Sequence, residues 1–151
     1  MRHFFVLDSA PHAKEHALEV QLPFLQRVLD SFELVPLVFG DADEVRLAPR
    51  LSELANDHTF FIASSDLSHF YTYERARALD DGTVQAIVRL DIDAMRQREA
   101  CGKGPILVLL ALAKSLGWQA RLLDLRNSGD TTGDHSRVVG YAAIAFLAPE
   151  S

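Results

Sequence analysis

An α/β fold, a layered sheet flanked by helices, is what the sequence predicts, and three features predict it. Short apolar runs of strand length alternate with segments whose apolar residues recur at helical spacing, as in βα-type layered folds. The runs are ended by glycine or by polar clusters, the punctuation expected of turns and strand ends. The 151 residues, 48% hydrophobic and 24% charged, carry enough apolar material to bury one core, so a single domain over 1–151 is expected.

Taken in chain order, the first helix is expected from about Lys14, with Ala17, Leu18, Val20 and Leu22 on its apolar face. Pro23 lacks a backbone N–H, so the helix should kink or restart there before Phe24, Leu25, Val28 and Leu29. Residues 33–39, ended by Gly40, read as a strand, and Pro36 places it at a sheet edge or bulge. Residues 43–56 space Val45, Leu47, Ala48, Leu51, Leu54 and Ala55 as an amphipathic crossover helix that Pro49 can split in two.

Residues 59–63, Thr-Phe-Phe-Ile-Ala, read as a buried strand opening into the polar cluster Ser64 to His69. Open α/β sheets hold ligands beyond the carboxyl ends of such strands. The mixed stretch 71–98 should form two or three short helices, broken near Gly82 and Asp91. Cys101-Gly102-Lys103-Gly104 makes a tight loop, Pro105 opens a helix over 106–116, and Gly117 caps it. That helix is apolar nearly all round, which implies burial. Residues 119–125 and 138–147 are the last two strands, joined by a polar loop, and both 59–63 and 138–147 read as buried on both faces.

Composition excludes several classes of function. A net charge of −6 without a Lys/Arg cluster is wrong for a nucleic-acid surface. No apolar run reaches the ~18 residues of a membrane span, and the apolar start is interrupted at Asp8, too early for a signal peptide. A cytoplasmic protein is expected, with no nucleic-acid or membrane partner. The single cysteine, Cys101, rules out an internal disulfide and leaves a buried small hydrophobe, a ligand or a nucleophile.

Four places combine titratable groups with glycine or a strand end. In Ser64-Ser65-Asp66-Leu67-Ser68-His69, Asp66 and His69 can act in proton transfer or ligation; alternatively Asp66 or Ser68 caps a helix starting near Leu67 and His69 merely packs. Cys101 sits by two glycines, Lys103 and a helix N-terminus, surroundings that favour thiolate, although a lone cysteine is commonly structural. His12, His16 and Glu19 share one side if the first helix reaches back that far, but the HExxH order of a zinc helix is absent, and a solvated first turn is the alternative. The loop Asp130 to His135 lacks EF-hand spacing and reads as a polar strand connection. His3 and His58 stand outside any cluster and read as surface or packing residues.

Four ordered blocks carry a resemblance. Glu15-His16-Ala17-Leu18-Glu19-Val20-Gln21-Leu22-Pro23-Phe24, Ser64-Ser65-Asp66-Leu67-Ser68-His69, Cys101-Gly102-Lys103-Gly104-Pro105-Ile106 and the stretch from Asn127 through Asp134 to Gly140-Tyr141-Ala142-Ala143 resemble the Memo family, known in prokaryotes as AmmeMemoRadiSam system protein B. The resemblance implies the fold of the class III extradiol dioxygenases, whose non-haem Fe(II) lies between two histidines and a carboxylate. It implies that Cys101 takes the carboxylate's place as a metal ligand, with copper or zinc as other candidate metals for the softer site. It further implies that His69 is an acid/base and metal-site residue, that Asp66 lies beside it, and that His16 supports the same site.

The family's two ligating histidines lie on Ala-Pro-His-Ala-Gly and Gly-Pro-Ser-His words in an N-terminal half. Ala10-Pro11-His12-Ala13-Lys14 is only superficially like the first of these. The chain therefore reads as the C-terminal half of a Memo-like fold with a partial metal site, expected to self-associate or to bind an N-terminal-half partner. Three functions stay open at this point: a metal-dependent oxidoreductase, a non-catalytic binding or scaffold protein working with AMMECR and radical-SAM proteins, and a Cys/His hydrolase using Cys101 and His69.

Overall fold

The structure is a computed structural model and describes residues 5–40 and 43–149. His3 lies outside the described residues. The chain divides into two units, Met1–Ala42 and Asp43–Ser151.

In the first unit a 3₁₀ turn, Pro11–Ala13, is followed by a run of turns and one helix, α1, Leu22–Val28. The helix expected from Lys14 starts late because Pro23 falls in its first turn, where a missing N–H costs nothing, so the proline restarts the helix instead of kinking it. Residues 33–39, expected as a strand, form no ladder in the described chain, and Val35 is 78% exposed. A strand is stabilised by hydrogen bonds to a neighbour, and apolar sequence alone does not supply one.

The second unit holds the core. Helix α2, Glu44–Ser52, is capped by Asp43, whose carboxylate accepts the N–H groups of Val45 and Arg46. Pro49 lies inside it without splitting it: Leu47, Ala48 and Leu51 are buried, and α2 packs on α5. Glu44 is buried and paired with Arg96. The glutamate's own backbone N–H, and then the Arg96 guanidinium, hold its carboxyl below the ordinary glutamate value. A lowered carboxyl contributes stability above the unfolded-state value and loses it as pH falls through the folded-state value. Glu44→Gln should therefore lower the melting temperature by roughly 2–6 °C at neutral pH, with the deficit closing only below the ordinary glutamate range. A deficit that is the same at acid and neutral pH would contradict this.

Helix α3, Tyr73–Val88, runs straight through Gly82, where a break was expected. A Cβ at Gly82 would lie 2.7 Å from the Arg98 guanidinium, so the glycine serves a close approach inside a continuous helix. The break expected near Asp91 is present: Asp91 caps α4, Ile92–Arg96, by accepting the Ala94 N–H. Helix α5, Lys103–Leu116, starts slightly before Pro105 and ends as expected at Gly117, with φ 70°. Its Ile106 and Leu110, Met95 of α4 and Ala86 and Ile87 of α3 form the buried cluster, against which Ile144 and Phe146 pack. Complete burial of a Leu or Met side chain stabilises by about 1.5–3 kcal/mol.

The strands are β1, His69–Tyr71, β2, Gln119–Asn127, and β3, Val138–Leu147, in the order β1-β3-β2 with both pairings antiparallel. An open sheet with its site beyond the strands' carboxyl ends was expected. The described sheet differs because β2 and β3 are joined by a short connection, containing only the single turn α6, Gly129–Thr132, which returns the chain antiparallel. Residues 59–63 form no ladder among the described residues; Phe60 is 81% exposed, contrary to the expected buried strand. Burial of β3 on both faces also fails: Val138 and Gly140 are buried, whereas Tyr141 and Leu147 are exposed.

Candidate functional site

The polar segment before β1 is held in place by backbone bonds. Leu67 N–H donates to the Gly140 carbonyl at 2.9 Å, and Gly140 N–H donates to the Ser68 carbonyl at 2.9 Å. Ser68 N–H donates to the Asp80 carboxylate at 2.9 Å. No helix begins near Leu67, so Asp66 and Ser68 are not caps. The Asp66 side chain turns instead to His69, with Oδ2 3.4 Å from Nε2.

Beyond His69 the chain bulges. Phe70 has φ 63°, the left-handed region, and the register with β3 shifts between His69 and Tyr71. A bulge redirects the side chains beside it. The Phe70 ring lies edge-on to His69 at 5.7 Å, and the Arg137 guanidinium stands 5.0 Å from the centre of the same ring.

The cysteine loop docks on this segment. Asp66 N–H donates to Cys101 Sγ at 3.1 Å, Cys101 N–H donates to the Asp66 carbonyl at 3.2 Å, and Ser65 Oγ lies 3.6 Å from the sulfur. Ser65 Oγ also accepts the Gly102 N–H at 2.8 Å. A Cβ at Gly102 would fall 2.7 Å from both the Ser64 carbonyl and Ser65 Cβ, so only glycine permits this approach. Cys101 is exposed, and Asp66 and His69 keep 46% and 35% of their side-chain surfaces accessible, so the cluster is open to a ligand.

Of the predicted residues, the structure thus gathers Cys101, Asp66 and His69 around Asp66. They are not grouped at a strand's carboxyl end, because His69 is the first residue of β1 and Asp66 precedes it. His16 belongs to the first unit, where it is exposed. Glu15 there accepts the N–H groups of His16 and Ala17, both at 2.8 Å, and these bonds lower its carboxyl pKa. The helix that would align His12 with His16 is absent: a 3₁₀ turn and a separate turn replace it, so helical spacing no longer supplies a reason for the two rings to share a face.

Two residues escaped the sequence reading. Asp80, 2% exposed, interrupts the buried stripe Ala76, Thr83, Val84 and Ile87 of α3, and a carboxylate at core spacing is a signal the sequence does contain. Burial raises its pKa. Tyr141, next to Gly140 on β3, is exposed overall, yet partial desolvation and then the Asp66 charge raise its phenol pKa; nothing in the sequence distinguishes it from an ordinary strand tyrosine.

The loop read as a polar connection is a locked corner. Asp130 accepts from the Tyr73 hydroxyl at 2.6 Å and the Asn127 N–H at 2.8 Å, and His135 stacks on Tyr73 at 4.3 Å. Those two bonds, the tyrosine's first, hold the Asp130 carboxyl below its ordinary value.

A family profile described as "Memo-like protein" matches residues 1–145. The chain belongs to the Memo family. It is 41% identical over 151 residues to a MEMO1 family protein of Methanosarcina mazei, covering 91% of this chain and 57% of that relative. A MEMO1 family protein of Thermoplasma acidophilum is 38% identical over 156 residues, with 97% and 58% covered, and one of Archaeoglobus fulgidus is 37% identical over 151 residues, with 92% and 58% covered. The chain therefore spans somewhat more than half the length of these Memo relatives. No helix among the described residues is long and apolar enough to cross a membrane.

The metal that the family resemblance implies can be tested against the donors present. Among the described residues no three His, Cys, Asp or Glu side chains converge as an ion-binding group. A closed shell for zinc takes four donors and an open catalytic one at least three, so the described donors do not fit a metal by themselves.

Proposed function

We propose that Cys101, Asp66 and His69 are this chain's share of an oxidoreductase centre of the extradiol-dioxygenase type. The observation that supports this reading is the double role of Asp66: its backbone N–H donates to the Cys101 sulfur and its carboxylate stands against His69 Nε2. In this reading the carboxylate orients the imidazole through Nε2, leaving Nδ1 as the nitrogen that exchanges a proton with a bound group. Cys101 presents an exposed sulfur whose direction is fixed by the Asp66 N–H and the Ser65 hydroxyl, as a ligand or an acceptor of charge requires. The further donors that Fe(II), copper or zinc would need come from outside the described residues, and no reaction step is assigned to a metal.

A Cys/His hydrolase needs the histidine to act on the thiol. His69 Nε2 stands against Asp66, a contact that would orient the histidine in either reading, so alkylation of Cys101 decides between them. A scaffold role alongside AMMECR and radical-SAM proteins would use the same exposed cluster without turnover. The test is metal content after dialysis, oxygen uptake with a catechol as probe, and alkylation of Cys101. The chain alone should retain less than about 0.3 equivalents of metal. Oxygen uptake that needs both added Fe(II) and a polypeptide supplying the further donors, and that disappears in His69→Gln, supports the proposal. Rapid alkylation that depends on His69, with no metal effect on turnover, would replace it with the hydrolase.

A further inference from the structure

We propose that Asp80 is a positioning residue for the Asp66–His69 pair, acting through Ser68 and Gly140; this rests on the site reading above. Leu67 and Ser68, the two residues between Asp66 and His69, are 3% and 1% exposed. Each is tied down by its backbone. Leu67 N–H donates to the Gly140 carbonyl, and Ser68 is held at both ends, its carbonyl accepting the Gly140 N–H and its own N–H donating to Asp80 Oδ1 at 2.9 Å.

The carboxylate is itself immobilised. It reaches from the buried stripe of α3 and lies against Gly140 so closely that a Cβ there would fall 1.9 Å from Oδ2. With both intervening residues fixed, the main chains of Asp66 and His69 have fixed directions, and only side-chain torsions remain to bring Oδ2 and Nε2 together. Burying a carboxylate is costly unless its oxygens are satisfied, so a group placed here purely as core filling would be apolar. Asp80 holds the Ser68 N–H, so its influence on the pair passes through the backbone.

The experiment uses the full chain, with NMR of the His69 ring and amide hydrogen exchange as readouts, so a chain without turnover still answers it. In Asp80→Ala the His69 ring resonances should move at least about half-way towards their positions in Asp66→Ala, and exchange of the Asp66 amide should speed up about tenfold relative to the Leu110 amide. Asp80→Asn keeps the Oδ1 acceptor and the shape, and should hold the Asp66 amide within about threefold of wild type on the same scale.

A folded Asp80→Ala whose His69 resonances and Asp66 exchange match wild type would overturn the proposal, since a merely structural carboxylate lowers stability without a local signature. So would an Asn variant that behaves like Ala. If Asp80→Ala does not fold, the Ser68 amide of the wild type decides: protection comparable to Leu110 supports the proposal, and exchange at the rate of free solvent-exposed amides defeats it.

Discussion

Gly140→Ala should destabilise the protein by about 3–5 kcal/mol, the range in which overpacking and a lost buried hydrogen bond act together. The added Cβ would meet Asp80 at 1.9 Å from Oδ2, 2.6 Å from Cγ and 3.0 Å from Oδ1. Relief is available if the carboxylate swings away, but Asp80 is 2% exposed and accepts the Ser68 N–H. Swinging away would leave a buried N–H without its acceptor and move a charge within the core. Shifting β3 is no easier, because Gly140 is bonded through both its N–H and its carbonyl to residues 67 and 68.

Two comparisons isolate the cause. Gly40→Ala, with nothing within 4 Å of its Cβ position, should be close to neutral. The double variant Gly140→Ala/Asp80→Ala should be less destabilised than the sum of the two single variants, because the new methyl occupies space the carboxylate has left. Denaturant titration measures all four. A Gly140→Ala loss under about 1 kcal/mol, or strict additivity, would refute the steric account.

What the sequence disclosed followed the range of the interaction. Gly117 as a C-cap, the break near Asp91, the apolar helix before Gly117 and the last two strands were all legible, because a cap, a break or a period is decided within a few residues. Gly82 misled because a lone glycine need not break a helix, and the Arg98 guanidinium beside it, sixteen positions away in sequence, is invisible to local pattern. Pro49 misled in the other direction: Leu47, Ala48 and Leu51 bury enough surface on either side of it to carry the helix through.

The segments 33–39 and 59–63 have strand composition without a described partner, and composition cannot provide the partner's hydrogen bonds. At the site, Asp66, His69 and Cys101 were found as chemistry-bearing residue types in short polar words. The link between them, the Asp66 N–H to sulfur, is a backbone contact across thirty-five positions that no spacing rule anticipates. Asp80 was overlooked although its spacing with Ala76, Thr83 and Val84 sets it in the buried stripe, because a charge in a mixed helix is ordinarily assigned to solvent.

The second large effect concerns association. Within the second unit, Phe60, Leu123 and Phe70 are 81%, 62% and 62% exposed, and Val45 and Leu54 are exposed as well. Strand β2 pairs with β3 on one side and with no described strand on the other, so it offers an unpaired row of N–H and carbonyl groups beside Leu122 and Leu123. Edge strands of soluble proteins are commonly blunted by charge, proline or a covering element; Arg121, Asp124 and Arg126 supply charge, but Asp124 and Arg126 are paired with each other.

Where exposed apolar side chains are contiguous they mark a surface that joins something, and the open β2 edge with Leu122 and Leu123 is the place to test. Roughly two-fifths of the length of the Methanosarcina mazei relative lies outside the part this chain matches, so the test distinguishes two occupants: a second copy, or a polypeptide carrying that further family segment. We expect the chain at micromolar concentration to sediment as a concentration-dependent oligomer and to bind an apolar dye. Leu123→Lys, which places a charge on the open edge, should weaken that association by about tenfold or more. A polypeptide carrying the remaining family segment, added in trans, should replace the oligomer with a one-to-one complex and suppress dye binding. A monomer at every concentration, with little dye-accessible surface, would show that these exposed side chains are solvated as they stand and that the edge is already closed.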